Sequence, residues 1–262
     1  MSRPSLRVAV TGTDTGVGKT VVACALTRAL RERGLTVGAL KPVETGITAR
    51  DGGSDAERLR RATADADPLD VVCPITLAEP LAPWVAAERA GRTIDLAALD
   101  AALAAVERGR DAEVVEGAGG LLVPFMRAVT FADLVARWAL DLVVVAANRL
   151  GVINHTLLTV READRRGLVV RAVALVAPPL GCNGVAERTN GDTLAALLAP
   201  VPVVLVPRLT DCELGDMDAL ARAGSPLAVA LCDADATLHA SQVSLPDTDV
   251  RLELSRRPRA RW

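Results

Sequence analysis

Lys19 and Thr20 close the stretch Val8-Ala9-Val10-Thr11-Gly12-Thr13-Asp14-Thr15-Gly16-Val17-Gly18-Lys19-Thr20. An apolar run, a glycine-rich turn and then an ammonium beside a hydroxyl are the parts of a phosphate loop. The ammonium meets β- and γ-phosphates, and the hydroxyl meets Mg²⁺. Gly12, Gly16 and Gly18 let the backbone curl so that successive N–H groups point at one anion. A helix starting near Gly18 aims its positive dipole end at the same place. Five residues rather than four separate Gly12 from Gly18, so the general spacing is met only loosely. Gly-Lys-Thr between a strand and a helix is the specific part of the signal.

The chain has 30 basic residues, and Lys19 and Lys41 are its only lysines. A compact ammonium suits a crowded phosphate site where a planar guanidinium does not. Lys41 follows the apolar run Thr36 to Leu40 and precedes Pro42. Proline cannot continue a central strand, so Lys41 stands at a strand's carboxyl end, the edge where open parallel sheets bind ligands. Ala112-Glu113-Val114-Val115-Glu116-Gly117-Ala118-Gly119-Gly120 repeats the pattern with an acid. A strand-end carboxylate such as Glu116 holds Mg²⁺ in phosphate-loop proteins. Asp55 begins a helical stretch to Ala62, where plain first-turn placement is the favoured local reading.

The elements that must position these residues alternate. Residues 6–11 read as a strand, 18–33 as a helix ended by Gly34, and 36–40 as a strand. Glu44 to Ser54 reads as a loop, and 85–107 holds at least one amphipathic helix. Asp141 to Ala147 is a strand, followed by a helix to about Arg166 that Asn154 could begin and cap. Leu168 to Val176 is a strand, 185–198 a helix and Val203 to Val206 a strand. This grammar predicts an α/β fold of phosphate-loop NTPase type, a mostly parallel central sheet with helices on both faces. Residues 1–223 are expected to form one domain. Residues 224–262 form an extension where the alternation weakens, with a partial period-two stretch at 242–254 and a basic, solvated end.

Half of the residues are hydrophobic but only 2% are aromatic, so the core must be Val, Leu and Ala. A formal charge of −2 gives no reason to expect a nucleic-acid or membrane surface. No leader and no spanning apolar run is evident, so a soluble, cytoplasmic protein is expected. The cysteines at 24, 73, 182, 212 and 232 are odd in number and lack a C-x-x-C pair. They are expected to be buried free thiols. His155 has no second histidine near it in sequence, which argues against a metal role.

The motifs at residues 11–20, Lys41-Pro42-Val43-Glu44-Thr45-Gly46, Ser54-Asp55, Glu79-Pro80, Val115 to Gly120 and Leu150-Gly151-Val152-Ile153-Asn154-His155 stand in one order. In that order and spacing the chain resembles dethiobiotin synthetases over roughly residues 6–210. The resemblance implies an ATP- and Mg²⁺-dependent ring closure of 7,8-diaminononanoate with CO₂ or bicarbonate, through a carbamate and a carbamic–phosphoric anhydride. It implies Lys19, Lys41 and Thr15 as catalytic, and Thr20, Asp55 and Glu116 as the metal set. Nucleotide contacts would come from Thr13, Asp14, Gly16, Val17, Gly18, Lys19, Thr20, Pro207 and Leu209. Substrate contacts would come from Thr45, Gly119 and Asn154, the last reaching a neighbouring subunit's site, hence a homodimer with active sites at the interface. Many members place a purine-reading Asn where this chain has Ala177-Pro178-Pro179, so other nucleoside triphosphates could enter. Two other readings are a related amidoligase, for which the chain is short, and a regulatory or switch-type phosphate-loop ATPase. Switch ATPases commonly carry a second lysine in the loop, where this chain has Asp14-Thr15-Gly16.

Overall fold

A computed structural model describes residues 6–48, 53–182 and 184–233. The first part of the chain forms β1 (Leu6–Gly12), α1 (Lys19–Glu32), β2 (Val37–Leu40), β3 (Val43–Thr45), α2 (Asp55–Ala62), α3 (Leu69–Val72) and β4 (Ile75–Leu77). Next come α4 (Pro83–Arg89), α5 (Leu96–Glu107), β5 (Ala112–Gly120), β6 (Pro124–Met126), β7 (Val129–Thr130), α6 (Phe131–Trp138) and β8 (Asp141–Ala147). The last part holds α7 (Val152–Arg165), β9 (Val170–Val176), α8 (Val185–Leu198), β10 (Val203–Val206), α9 (Asp211–Leu214) and α10 (Met217–Asp233).

Six strands form the central sheet in the order β10-β9-β8-β1-β5-β2. Every neighbouring pair is parallel. Successive side chains of a strand point to opposite faces, and the core divides accordingly. Val8 and Val10 of β1 join Leu26 of α1 and Leu227 of α10 in one layer. Ala9, between them, joins Leu99 of α5 and Leu134 of α6 in the other. On the same side as Ala9, Val144 of β8 meets Val160 of α7 and Leu194 of α8. Strands buried on both faces need apolar residues at every position, which explains the continuous runs in the sequence. The core is aliphatic, apart from buried aromatics such as Phe125 and Phe131, whose rings stack 5.6 Å apart.

The sheet order places β1 between β8 and β5, with β2 next beyond β5. All the residues suspected of chemistry at strand ends are thereby brought to one edge.

Several local expectations need correction. The segment beginning at Glu44 is not all loop, because Val43–Thr45 pairs in parallel with Ile75–Leu77. A second small sheet joins β6 to antiparallel β7. Both pairs are too short for periodicity to reveal them. β5 continues through its glycines as far as Gly120, which pairs with Gly12; missing side chains let these two backbones meet. Helix α7 starts at Val152 with Gly151 as its N-cap, so Asn154 lies inside the first turn and caps nothing. Cys24 and Cys73 are buried thiols outside any disulfide, but Cys182 and Cys212 are exposed and Cys232 is intermediate.

Helix α10 runs unbroken across residues 223 and 224 to Asp233, and Leu227 and Leu231 are fully buried. The stretch at 242–254 and the basic end lie outside the described residues. No helix among the described residues is long and apolar enough to cross a membrane.

Candidate active site

β1 delivers the glycine-rich turn, and Thr13 N–H donates to the Val145 carbonyl at 2.9 Å, tying the start of the turn to β8. Gly18 caps α1 with φ of 100°, a left-handed backbone that a side chain would oppose. Helix α1 therefore begins at Lys19, and the residues before it curl over its N-terminus. The Lys19 side chain folds back over this turn, its Nζ donating to the Asp14 carbonyl at 3.2 Å. Burial pulls the Lys19 pKa down, with Glu116 opposing and Lys41 assisting. The ammonium stands beside the turn whose N–H groups would face an anion, with Glu116, Asp55 and Asp14 near enough to favour its charged form.

Behind the turn, Thr20 of α1, Asp55 of α2, Glu116 of β5 and Lys41, just past the end of β2, meet. Thr20 Oγ1 donates to Glu116 Oε1 at 2.7 Å. Lys41 Nζ lies 2.7 Å from the same Glu116 oxygen and 3.0 Å from Asp55 Oδ2. Glu116 is fully buried and Lys41 nearly so. Burial works to lower the Lys41 pKa, but the carboxylates of Glu116 and Asp55 overturn that and hold it charged. Burial pushes Glu116 up against the pull of Lys41. Asp55 is also pushed up by burial, yet Lys41 and Thr20 together bring it below the ordinary carboxylate range. Asp55 is more exposed than Glu116, its side chain 39% accessible, so its share of the attraction is partly screened by water.

Asp55 is placed by the start of α2. Ser54 caps that helix through a reciprocal box with Glu57, which explains the Ser54-Asp55 pair better than Asp55 capping does. Glu44, buried on β3, accepts from Asp55 N–H at 2.6 Å and from Ala56 N–H at 3.3 Å. Its carboxyl is raised by burial, with Lys41 opposing.

The donor set suits a small hard cation. Mg²⁺ prefers oxygen ligands and takes one or two carboxylates together with phosphate oxygens. Thr20, Asp55 and Glu116 supply a hydroxyl and two carboxylates, and Glu116 Oε2 is buried with no hydrogen-bond partner. An unpartnered buried carboxylate oxygen is costly, and a cation beside it would relieve that cost. With two carboxylates and a hydroxyl, the set falls short of a cage of three or more His, Cys, Asp or Glu, and no such cage occurs among the described residues; His155 is exposed on α7.

Two open cavities of about 430 Å³ each flank the turn. One is lined by Gly16, Val17, Gly18, Ala177, Pro179 and Leu209, among others. The other is lined by Thr13, Asp14, Thr15, Gly120, Leu158 and Glu162, among others. Gly119 lies against this second region, since a Cβ there would stand 3.7 Å from Thr15 Oγ1. Thr45 at the end of β3, Pro207 and Asn154 line neither cavity; Asn154 is exposed. Reading the sequence alone missed Asn148, Arg149 and Arg208, which line the first cavity. It also missed Leu158, Thr159 and Glu162 of α7, which line the second. Their only signal is position after β8 or β10, or on one face of α7. The Asn148 amide is already committed, donating to the Glu187 carbonyl and accepting from Asn190.

A six-stranded parallel sheet, a glycine-rich turn wrapped over a helix N-terminus and a buried acid, Glu116, within the neighbouring strand β5 define a phosphate-loop nucleotide-binding protein. The family model for an AAA domain matches residues 7–204. The ATP-dependent dethiobiotin synthetase of Anaeromyxobacter dehalogenans (strain 2CP-C) is 47% identical over 196 residues, which cover 72% of this chain and 87% of that protein. The Aquifex aeolicus enzyme of the same name is 37% identical over 209 residues, covering 80% of this chain and 92% of its own. That of Bacillus licheniformis is 36% identical over 205 residues, covering 78% and 86%. The chain belongs to the dethiobiotin synthetase family.

Proposed function

We propose that this protein is an ATP-dependent dethiobiotin synthetase, closing a cyclic urea on 7,8-diaminononanoate with CO₂. The observation that carries the reading is the convergence of Thr20, Lys41, Asp55 and Glu116 behind the phosphate loop, in a chain of this family. One amine of the diamine takes up CO₂ as a carbamate. A carbamate oxygen attacks the γ-phosphorus and ADP leaves. The second amine then attacks the carbamate carbon, and phosphate leaves as the ring closes.

The reacting groups are both anionic, so the protein must supply fixed positive charge. Lys19 and the N–H groups of residues 13–20 bind the triphosphate from the loop side. Lys41 stands on the opposite side, within reach of the γ-phosphate and carbamate once the carboxylates are otherwise engaged. Thr15 and Thr45 offer hydroxyls to phosphate and substrate, and Gly119 leaves room beside Thr15. Preorganised donors of this kind are each worth about 10²–10³ in rate. Thr20, Asp55 and Glu116 would hold Mg²⁺, which neutralises phosphate charge when bound. The diamine brings its own nucleophile, which agrees with a site without a Ser-His or Cys-His pair.

The cavity beside Gly16 to Gly18 receives the base, against Leu209 and near Pro207, and the cavity beside Thr15 receives the diamine. The protein works as a cytoplasmic homodimer. The exposed Leu150, just before α7, and Leu158, on it, lie four residues either side of Asn154, a surface that would carry Asn154 to a partner's substrate carboxylate. Residues 224–262, which begin within α10, have no assigned part in the chemistry.

Incubation with 7,8-diaminononanoate, labelled bicarbonate, Mg²⁺ and ATP should yield a labelled cyclic urea by mass spectrometry, with ADP release dependent on the diamine. Slow ATP hydrolysis that ignores the diamine, without product, would replace this reading with the switch-ATPase one.

A further inference from the structure

Glu44 is a buried carboxylate that no step above uses. It is 3% exposed, and burying a carboxylate is unfavourable unless its oxygens are hydrogen-bonded. Both oxygens are bonded, and to neighbouring backbone groups: Oε1 accepts from Asp55 N–H at 2.6 Å and Oε2 from Ala56 N–H at 3.3 Å. These are first-turn donors of α2, which have no partner within their own helix. Ser54 already satisfies Glu57 N–H at 3.2 Å, so Glu44 completes the end of the helix from outside.

The connection matters because of what else touches Asp55. Lys41, three residues before Glu44, holds the Asp55 carboxylate at 3.0 Å. One short segment at the ends of β2 and β3 thus grips Asp55 twice, by its backbone through Glu44 and by its side chain through Lys41. The backbone grip persists whichever cation faces the carboxylate.

We propose that Glu44 is a positioning residue for the metal site, fixing the N-terminus of α2 so that Asp55 faces Glu116 and Thr20. The proposal rests on the assignment of Asp55 to the metal set. Partners that orient a metal ligand typically contribute about 10–100-fold to metal affinity.

The test is Mn²⁺ binding, followed by electron paramagnetic resonance on the full chain with a non-hydrolysable ATP analogue. Glu44→Gln keeps the shape but replaces one acceptor with an NH₂ group. It should weaken Mn²⁺ binding about tenfold, while analogue affinity measured without metal stays unchanged. Glu44→Asp, which keeps the charge on a shorter arm and guards against misfolding of the first variant, should fall between. In an Asp55→Asn background Glu44→Gln should have little further effect, because residues that act as a unit are not additive. Unchanged Mn²⁺ affinity in Glu44→Gln overturns the proposal. So does an equal loss with and without Asp55, which is the mark of a merely structural role. If the parent protein with analogue binds no Mn²⁺ at all, the metal assignment itself fails and the proposal falls with it.

Discussion

Lys41→Met tests the electrostatics of the site most directly. Lys41 Nζ lies 2.7 Å from Glu116 and 3.0 Å from Asp55; at an effective dielectric near 20 each contact is worth about 6 kcal/mol of raw attraction. Most of that offsets the cost of dehydrating the ions. Removing one member of a buried ion pair costs about 3–5 kcal/mol net, because the partners are left uncompensated. For a domain of this size each kcal/mol lowers Tm by roughly 2–4 °C, so Lys41→Met should melt roughly 6–20 °C below the parent. Two conditions should shrink the gap. Without the ammonium, burial and the neighbouring Asp55 hold the Glu116 pKa further above its ordinary value of 4.5. A raised carboxyl pKa binds protons better in the folded state, so the penalty is full at neutral pH and fades as pH falls towards that ordinary value. Millimolar Mg²⁺ without nucleotide should also help, by about 2.7 kcal/mol when its concentration is a hundred times the dissociation constant. Differential scanning calorimetry at pH 7.5 and 5.5, with and without Mg²⁺, measures all of this. A gap that responds to neither pH nor Mg²⁺ would show that Lys41 does not neutralise these carboxylates.

Lys19→Ala should lower turnover at least a hundredfold in a steady-state phosphate-release assay while leaving the melting temperature nearly unchanged, since the hydrogen bond of its ammonium to the Asp14 carbonyl is long at 3.2 Å. Competition among ATP, GTP and CTP should reveal weak base discrimination. Ala177, Pro178 and Pro179 line the cavity proposed to receive the base, and the Asn148 amide is engaged elsewhere; a strong ATP preference would mean that another group reads the base. Gly224→Ala should destabilise the fold, because a Cβ there would stand 2.0 Å from the Ala25 carbonyl of α1. Overpacking of this kind costs about 1–3 kcal/mol or more, measurable as a lower urea midpoint, and an unchanged midpoint would mean that α10 does not pack on α1 as described.

Local pattern along the chain specifies the architecture and the chemical vocabulary of the site. Continuous Val- and Leu-rich runs separated by amphipathic stretches specify strands buried on both faces, and these runs correspond to β1, β2, β5, β8, β9 and β10. The phosphate loop was legible because glycine spacing and the Lys-Thr pair are local requirements. Lys41 and Glu116 were visible as charges at the ends of apolar runs. Tertiary structure decided what local pattern cannot encode. Asp55 reads as an ordinary first-turn acid until the sheet order brings β2 and β5 together beneath α2 and sets Lys41 between the two carboxylates. Glu44 sits in a short strand whose pairing with β4 is non-local. Its bonds to the Asp55 and Ala56 amides depend on how the chain returns, not on which residues flank it. Asn154 illustrates the converse: it was recognisable by motif, yet the fold of one chain leaves it exposed on α7 and lining neither cavity. The residue types that do chemistry follow from local chemical needs. Which of them touch follows from burial of a sheet on both faces, and that is a property of the whole chain.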